Sequence, residues 1–251
     1  MLLEQTNEKL NQMKLYGMVG ALRLYLDQPK DPPLAAVDLV GLLADAEWTY
    51  RENRKLERRL KQARFRLPAC VEDLDYRPAR GLSKSTVLEL ASCRWVQAHQ
   101  NVILTGPTGV GKSYLACALG QKACRDGHSV LYRRTSRLFD ELALARADGT
   151  LPHLLKRLAK AEVLVLDDFG LEPLVASQRK DLLEVLDDRY ATGSTLVTSQ
   201  VEPKEWHVLI GDPTLADAIC DRLVHNGHRL KLGGDSMRKA AGLTPARKPA
   251  K

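Results

Sequence analysis

The sequence is short of several things, and each shortage excludes a class of protein. Only five of its 251 residues are cysteine (Cys70, Cys93, Cys117, Cys124, Cys220), and none forms a C-x-x-C pair. An odd, scattered set without ligand spacing argues against a disulfide framework or a zinc site and for reduced thiols. Aromatic residues make up 5% of the chain, and Trp48, Tyr50 and Phe65 are too few to decide what the N-terminal third binds. No apolar run approaches the ~20 residues of a membrane-spanning helix. The N-terminal stretch MLLEQTNEKLNQMK carries charges where a signal peptide would be apolar. These absences predict a soluble, cytoplasmic protein with no membrane partner.

What is present is ordinary in bulk. Hydrophobic residues at 44% and charged residues at 27% suit a globular chain with room for one full domain and a smaller one. The balance of 38 basic and 31 acidic residues gives +7. That charge permits phosphate contacts but names no partner.

Along the chain, apolar residues from Leu10 to Leu24 recur at three- and four-residue spacing and predict a helix. Prolines at 29, 32 and 33 break it. A second helix is expected from about Asp38 to Arg66. Its latter half, from Arg51, holds eight basic and two acidic residues, while Leu56, Leu60 and Ala63 keep an apolar stripe. Pro68 and Pro78 mark a boundary, giving a helical N-terminal domain over 1–72, an α/β domain over 73–245 and a disordered basic tail over 246–251. From residue 83 helices alternate with short apolar strands, at 101–105, 129–132, 163–166 and 194–198. Short apolar strands alternating with helices predict a parallel sheet with crossover connections.

One motif is complete. Gly106-Pro107-Thr108-Gly109-Val110-Gly111-Lys112-Ser113 reads G-x-x-x-x-G-K-[ST], between an apolar strand and a helix that begins near Tyr114. Its glycines let backbone N–H groups close around phosphates at the positive end of that helix. Lys112 supplies charge to the β- and γ-phosphates of ATP, and Ser113 a hydroxyl ligand for Mg²⁺. Downstream, Val163-Leu164-Val165-Leu166-Asp167-Asp168 is an apolar strand ending in acids. Asp167 is expected to hold Mg²⁺, mainly through water. Asp168, where Glu is usual, is expected to orient or deprotonate the attacking water.

With these motifs in view, the sequence resembles AAA+ ATPases of the DnaC/IstB group in the initiator-like clade. The resemblance is carried by GPTGVGKS at 106–113, VLVLDDFG at 163–170, TLVTSQ at 195–200 and AICDRLVHNGHRLKLGGDSMRK at 218–239. The N-terminal pattern Leu10-x-x-Met13-x-Leu15-x-Gly17-Met18 points to the IstB branch. It implies an AAA+ domain with a parallel sheet between helices, a helical N-terminal domain and a small helical C-terminal lid. Residue by residue, it implies a γ-phosphate sensor at Gln200, beside Ser199. It also implies an arginine finger at Arg222, acting on a neighbouring subunit's ATP, and a lid arginine at Arg238. Arginines suit that task because phosphoryl transfer spreads negative charge over γ-phosphate oxygens. Each arginine has a plainer reading as a surface ion pair, Arg222 with Asp221 or Asp217.

The resemblance further implies a helper of transposition that assembles on duplex DNA as a homo-oligomer and stimulates the transposase of its insertion sequence. Two alternatives stay open: a DnaC-like helicase loader, and a nucleotide-gated DNA scaffold with negligible turnover. Candidate DNA contacts are Arg133, Arg134, Thr135, Ser136 and Arg137 after the second strand, and the basic helix face with Arg51, Arg54, Arg58 and Arg59. Such faces are more often simply solvated.

Overall fold

A computed structural model describes residues 2–28, 33–76 and 81–237. The chain divides into two compact units, one ending at Arg58 and one beginning at Arg59. The division falls earlier than the prolines near residue 70 suggested, because residues 59–72 contribute Ala63, Ala69 and Val71 to a buried interior. Residues 246–251 lie outside the described residues.

The N-terminal unit is helical. Helices α1 (Leu2–Gln12) and α2 (Tyr16–Asp27) replace the single helix expected over 10–24. Lys14, in the left-handed region at φ 58°, interrupts the helix between them. The reason lies in α3 (Ala36–Ala63). A Cβ on Gly17 would stand 2.5 Å from the Ala46 carbonyl oxygen, so α2 starts where glycine allows close approach. The buried Glu47 then accepts hydrogen bonds from the Gly17 and Met18 amides at 2.7 and 3.3 Å. A carboxylate there satisfies donors at a positive helix end.

The second unit is an α/β layer structure. Strands β1 (Asn101–Thr105), β2 (Val130–Arg134), β3 (Val163–Phe169), β4 (Ser194–Ser199) and β5 (Gly227–Lys231) form one parallel sheet in the order β2-β3-β4-β1-β5. The strand β5 was not legible in the sequence, since Gly227-His228-Arg229-Leu230-Lys231 has a single buried hydrophobe, Leu230. It is an edge strand held to β1 along its whole length, from Asn101 opposite Gly227 to Thr105 opposite Lys231.

On one face lie α7 (Thr135–Ala147), α8 (Leu151–Lys160), α9 (Ala176–Arg189), α10 (Trp206–Ile210) and α11 (Pro213–Val224). Alternate strand residues Ile103, Leu164, Leu166 and Val197 meet Leu138, Leu182, Trp206 and Ile219 there, as the two-residue period of a strand requires. The phosphate-loop helix α6 (Lys112–Arg125) packs against β1, β2, β3 and β4 and touches α4 (Lys84–Ala91). The helix expected over 85–97 is broken at Cys93, φ 56°, and resumes as α5 (Arg94–Gln97).

Asp212 caps α11 by accepting from the Leu215 amide at 2.9 Å, with Pro213 at the first helical position. Cys93, Cys117 and Cys124 are buried. Burial pushes the Cys93 and Cys124 thiols up to about 12 and Cys117 to about 11, which keeps all three protonated and unreactive at neutral pH. Among the described residues no helix is long and apolar enough to cross a membrane.

Candidate nucleotide site

The site forms where β1, β3 and β4 end. β1 delivers the chain into the loop 106–111, and α6 opens at Lys112, so the helix's first amides face the space that the loop encloses. Two glycines are obligatory. A Cβ on Gly106 would stand 2.1 Å from the Leu232 carbonyl oxygen, and one on Gly109 2.3 Å from Ser236 Oγ, both at positive φ. The segment after β5 thus runs along the loop, tied by Leu232 N–H to Thr105 O at 2.8 Å and Met237 N–H to Gly109 O at 2.9 Å.

Lys112 is buried, and its ammonium donates to the Gly106 and Pro107 carbonyls at 2.7 and 2.8 Å. Ser113 Oγ donates to Asp167 Oδ1 at 2.8 Å. Thr198 Oγ1 donates to the same oxygen at 2.6 Å, and the Tyr132 hydroxyl donates to Oδ2. Burial and the Asp167 carboxylate together push the Tyr132 phenol well above its ordinary value, so it stays a proton donor. Asp167 is fully buried yet held by three hydroxyls, the condition under which a buried carboxylate is tolerated.

Asp168 is different. It sits at φ 61°, where β3 and β4 lose register between Leu166 and Phe169. Its amide donates to Thr198 Oγ1 at 2.9 Å. Its carboxylate turns toward the cleft, 3.3 Å from Arg134 and 3.8 Å from Arg66. A non-glycine residue in this region is strained, and here the strain presents the second acid beside the first.

Lys112, Ser113, Asp168 and Arg66 line one cleft of about 350 Å³ with Thr108, Gly109, Gly111, Tyr114, Gln200 and Met237, and Asp167 lies buried behind Ser113. Gln200 Oε1 accepts from Thr108 Oγ1 at 2.7 Å, which joins the end of β4 to the phosphate loop. Ser199 is structural: its hydroxyl donates to the Phe169 carbonyl at 2.8 Å. The structure thus brings Lys112, Ser113, Asp167, Asp168 and Gln200 together. The Ser113 hydroxyl and Asp167 carboxylate, in direct contact, are hard oxygen donors suited to Mg²⁺, which needs few protein ligands when phosphates complete its shell. Sequence reasoning missed Tyr132, Thr198 and Arg66. Thr198 was within reach, since it stands near the end of the strand beside the two acids.

Arg222 lies elsewhere. Its backbone carbonyl accepts from the Asn101 side chain at 2.7 Å, at the opposite end of β1 from the phosphate loop. Five strand residues separate those ends by roughly 16 Å. The guanidinium pairs with Asp187 and Asp221 and stands over the Tyr190 ring at 5.5 Å. Arg238, the expected lid arginine, lies outside the described residues.

The first DNA candidate is revised. Arg133 is buried, bonded to Glu141 at 3.0 Å and to the Tyr132 carbonyl at 2.8 Å. Thr135 is buried on the Asp167 carbonyl at 3.1 Å. Buried and bonded internally, these two are not offered to phosphates, which leaves Arg134, Ser136 and Arg137. In the basic helix Arg54 and Arg58 are exposed, Arg59 is half-buried and Arg51 pairs with Glu47 at 2.7 Å.

A parallel sheet with a phosphate loop after one strand and paired acids after another defines a P-loop, ATP-binding protein of the AAA+ class. The family described as IstB-like ATP binding protein matches residues 8–244, and the chain belongs to it. It is similar to an insertion sequence ATP-binding protein of Sinorhizobium fredii, 50% identical over 95% of this chain and 98% of the relative. A Mycobacterium tuberculosis ATP-binding protein in an insertion sequence is 35% identical over 91% and 92% of the two chains. Among solved structures, DnaI (TM-score 0.57, 23% identity, 68% of this chain and 91% of that one) shares the fold. So does AMPPCP-bound DnaA from Aquifex aeolicus (TM-score 0.58, 16% identity, 70% and 53%).

Proposed function

We propose that this chain hydrolyses ATP as the helper of an insertion sequence in a bacterial cytoplasm: with ATP it assembles on duplex DNA, and the assembly recruits and stimulates the element's transposase. The observation that carries the hydrolytic reading is the division of labour between adjacent acids. Asp167 is buried and bonded to Ser113, where it would hold Mg²⁺. Asp168 is turned into the cleft, where a carboxylate can orient water. Mg²⁺, when bound, neutralises charge on the transferring phosphoryl group. Lys112 holds the β- and γ-phosphates, and Gln200, already on the phosphate loop, reports the γ-phosphate.

The placement of Arg222 supports assembly. At the far end of β1 it cannot reach the ATP of its own chain, so an arginine finger here serves a neighbour. Its pairing with Asp187 and Asp221 is partly exposed, and exposed ion pairs contribute at most about 1 kcal/mol. A neighbour's γ-phosphate can therefore displace them. ATP affinity and oligomerisation are then linked, each strengthening the other. The insertion-sequence relatives support the transposition role. Arg134, Ser136, Arg137 and the exposed arginines of α3 supply phosphate contacts, so binding falls steeply with salt and reads little sequence.

The test is complex size and affinity on duplex DNA with ATP, ADP or no nucleotide. A large, salt-sensitive assembly formed only with ATP supports the proposal. Nucleotide-indifferent binding, or binding confined to single strands, contradicts it and favours a helicase-loading role. An ATP-dependent assembly without turnover reduces the protein to a nucleotide-gated scaffold.

A further inference from the structure

Arg66 lies just past the end of α3, upstream of every nucleotide motif, yet it lines the same cleft as Lys112, Ser113, Asp168 and Gln200. Its neighbours fix its backbone there. The ring of Phe65 seats on Gly120, where a Cβ would stand 2.6 Å from it, and packs edge-on against Tyr132 at 6.4 Å. Tyr132 in turn hydrogen-bonds Asp167. Aromatic packing thus pins the residue before Arg66 to the side chain that holds the first acid.

The Arg66 side chain is held far less firmly. It is 42% exposed, and among the described residues its one ion pair, with Asp168, spans 3.8 Å. Arg134 approaches the same carboxylate oxygen more closely, at 3.3 Å. At 3.8 Å the Asp168 carboxylate attracts the Arg66 guanidinium without hydrogen-bonding it. A phosphate with three oxygens entering beside Lys112 is a better acceptor for a planar fork donor than a shared carboxylate oxygen.

We propose that Arg66 is a γ-phosphate ligand in its own subunit, which leaves Asp168 for the phosphate when ATP binds. The proposal rests on the ATP-site reading above. It adds a residue from outside the loop-and-strand motifs and explains how the site tells ATP from ADP before any neighbour arrives. It also gives the departure of Arg66 a consequence: Asp168 loses a cationic partner as the γ-phosphate arrives. The residue stands directly after α3, so the nucleotide state is read at the start of the chain's second unit.

The experiment measures Mg²⁺-dependent affinity for AMPPCP and for ADP on the full chain, without DNA, in wild type, Arg66→Ala and Arg66→Gln. One lost charge-assisted phosphate contact weakens AMPPCP binding roughly tenfold or more, with ADP affinity within about twofold of wild type. Unchanged ADP binding reports an intact fold, and Arg66→Gln, which keeps a donor on a shorter stem, covers the case in which the alanine variant fails to fold. Equal loss for both nucleotides, or loss for neither, overturns the proposal. Since DNA is absent, that failure leaves ATP-driven assembly untouched. Conversely, a wild-type protein that never assembles on DNA while Arg66→Ala loses AMPPCP alone retains this inference and rejects the assembly.

Discussion

The two ends of the sheet treat their charged side chains in opposite ways. At the carboxyl end, where β1, β3 and β4 stop, Lys112 and Asp167 are buried and each is satisfied by groups of the same cluster. At the amino end one arginine is buried and another is not. Arg189 is 2% exposed and donates to the carbonyls of Leu158, Ala161 and Ser194. Burial lowers its guanidinium to about 10, still charged at neutral pH. Arg222 lies partly in solvent on two acids and a tyrosine ring. A small cavity adjoins both. Charge at one end is organised for a ligand of the same chain. At the other, one arginine closes the fold and one remains on offer.

Three substitutions would break or sharpen that contrast. The largest effect is expected from Arg222→Ala. An arginine finger contributes about a thousandfold or more to turnover, so assembly-stimulated hydrolysis should vanish. ATP binding by the isolated chain should stay within about twofold, since the residue lies far from its own phosphate loop. Retained stimulated turnover would return Arg222 to a plain surface ion pair.

Arg189→Met should do the reverse. It deprives three buried carbonyls of their donor and should cost about 3–5 kcal/mol in denaturant unfolding. Nucleotide affinity per folded molecule should not change. A selective loss of ATP binding would show that the amino end communicates with the site.

Thr198→Val is the mildest. The shape is kept, but Asp167 loses a donor and the Asp168 amide an acceptor. A loss of about 1–3 kcal/mol in stability is expected, together with slower hydrolysis, because the left-handed turn at Asp168 would no longer be pinned. Turnover at the wild-type level would mean that the Asp168 turn is held by the sheet alone.

How much of this was legible beforehand differs between the ends in the same way. The phosphate loop and the acids are local strings whose spacing carries its own chemistry, and the structure brings them together, Asp168 in the cleft and Asp167 against Ser113. Gln200 came from resemblance, and its contact with Thr108 spans 92 positions, which no spacing could have supplied. Tyr132 was invisible because a hydroxyl's role depends on what the neighbouring strand presents. Tyr132 reaches Asp167 only because Val130 pairs with Val163 in register. Arg133 misled because a basic run after a strand reads as surface, whereas strand alternation turned its side chain inward onto Glu141. β5 was missed because an edge strand with one buried hydrophobe has no apolar run to detect. The single helix expected over 10–24 failed for a tertiary reason: Glu47, far along the chain, caps a helix that starts at Tyr16.

The central claim is that an ATP site made by one chain is completed by Arg222 of another. It is tested most directly by mixing two inactive variants, Asp167→Asn, which spoils its own site but keeps Arg222, and Arg222→Ala, which keeps its site but lacks the finger. With ATP and duplex DNA, each variant alone should hydrolyse at background. The mixture should recover a substantial fraction of wild-type turnover, because some sites then pair an intact cleft with an intact arginine. A mixture that assembles on DNA yet stays at background would contradict the account.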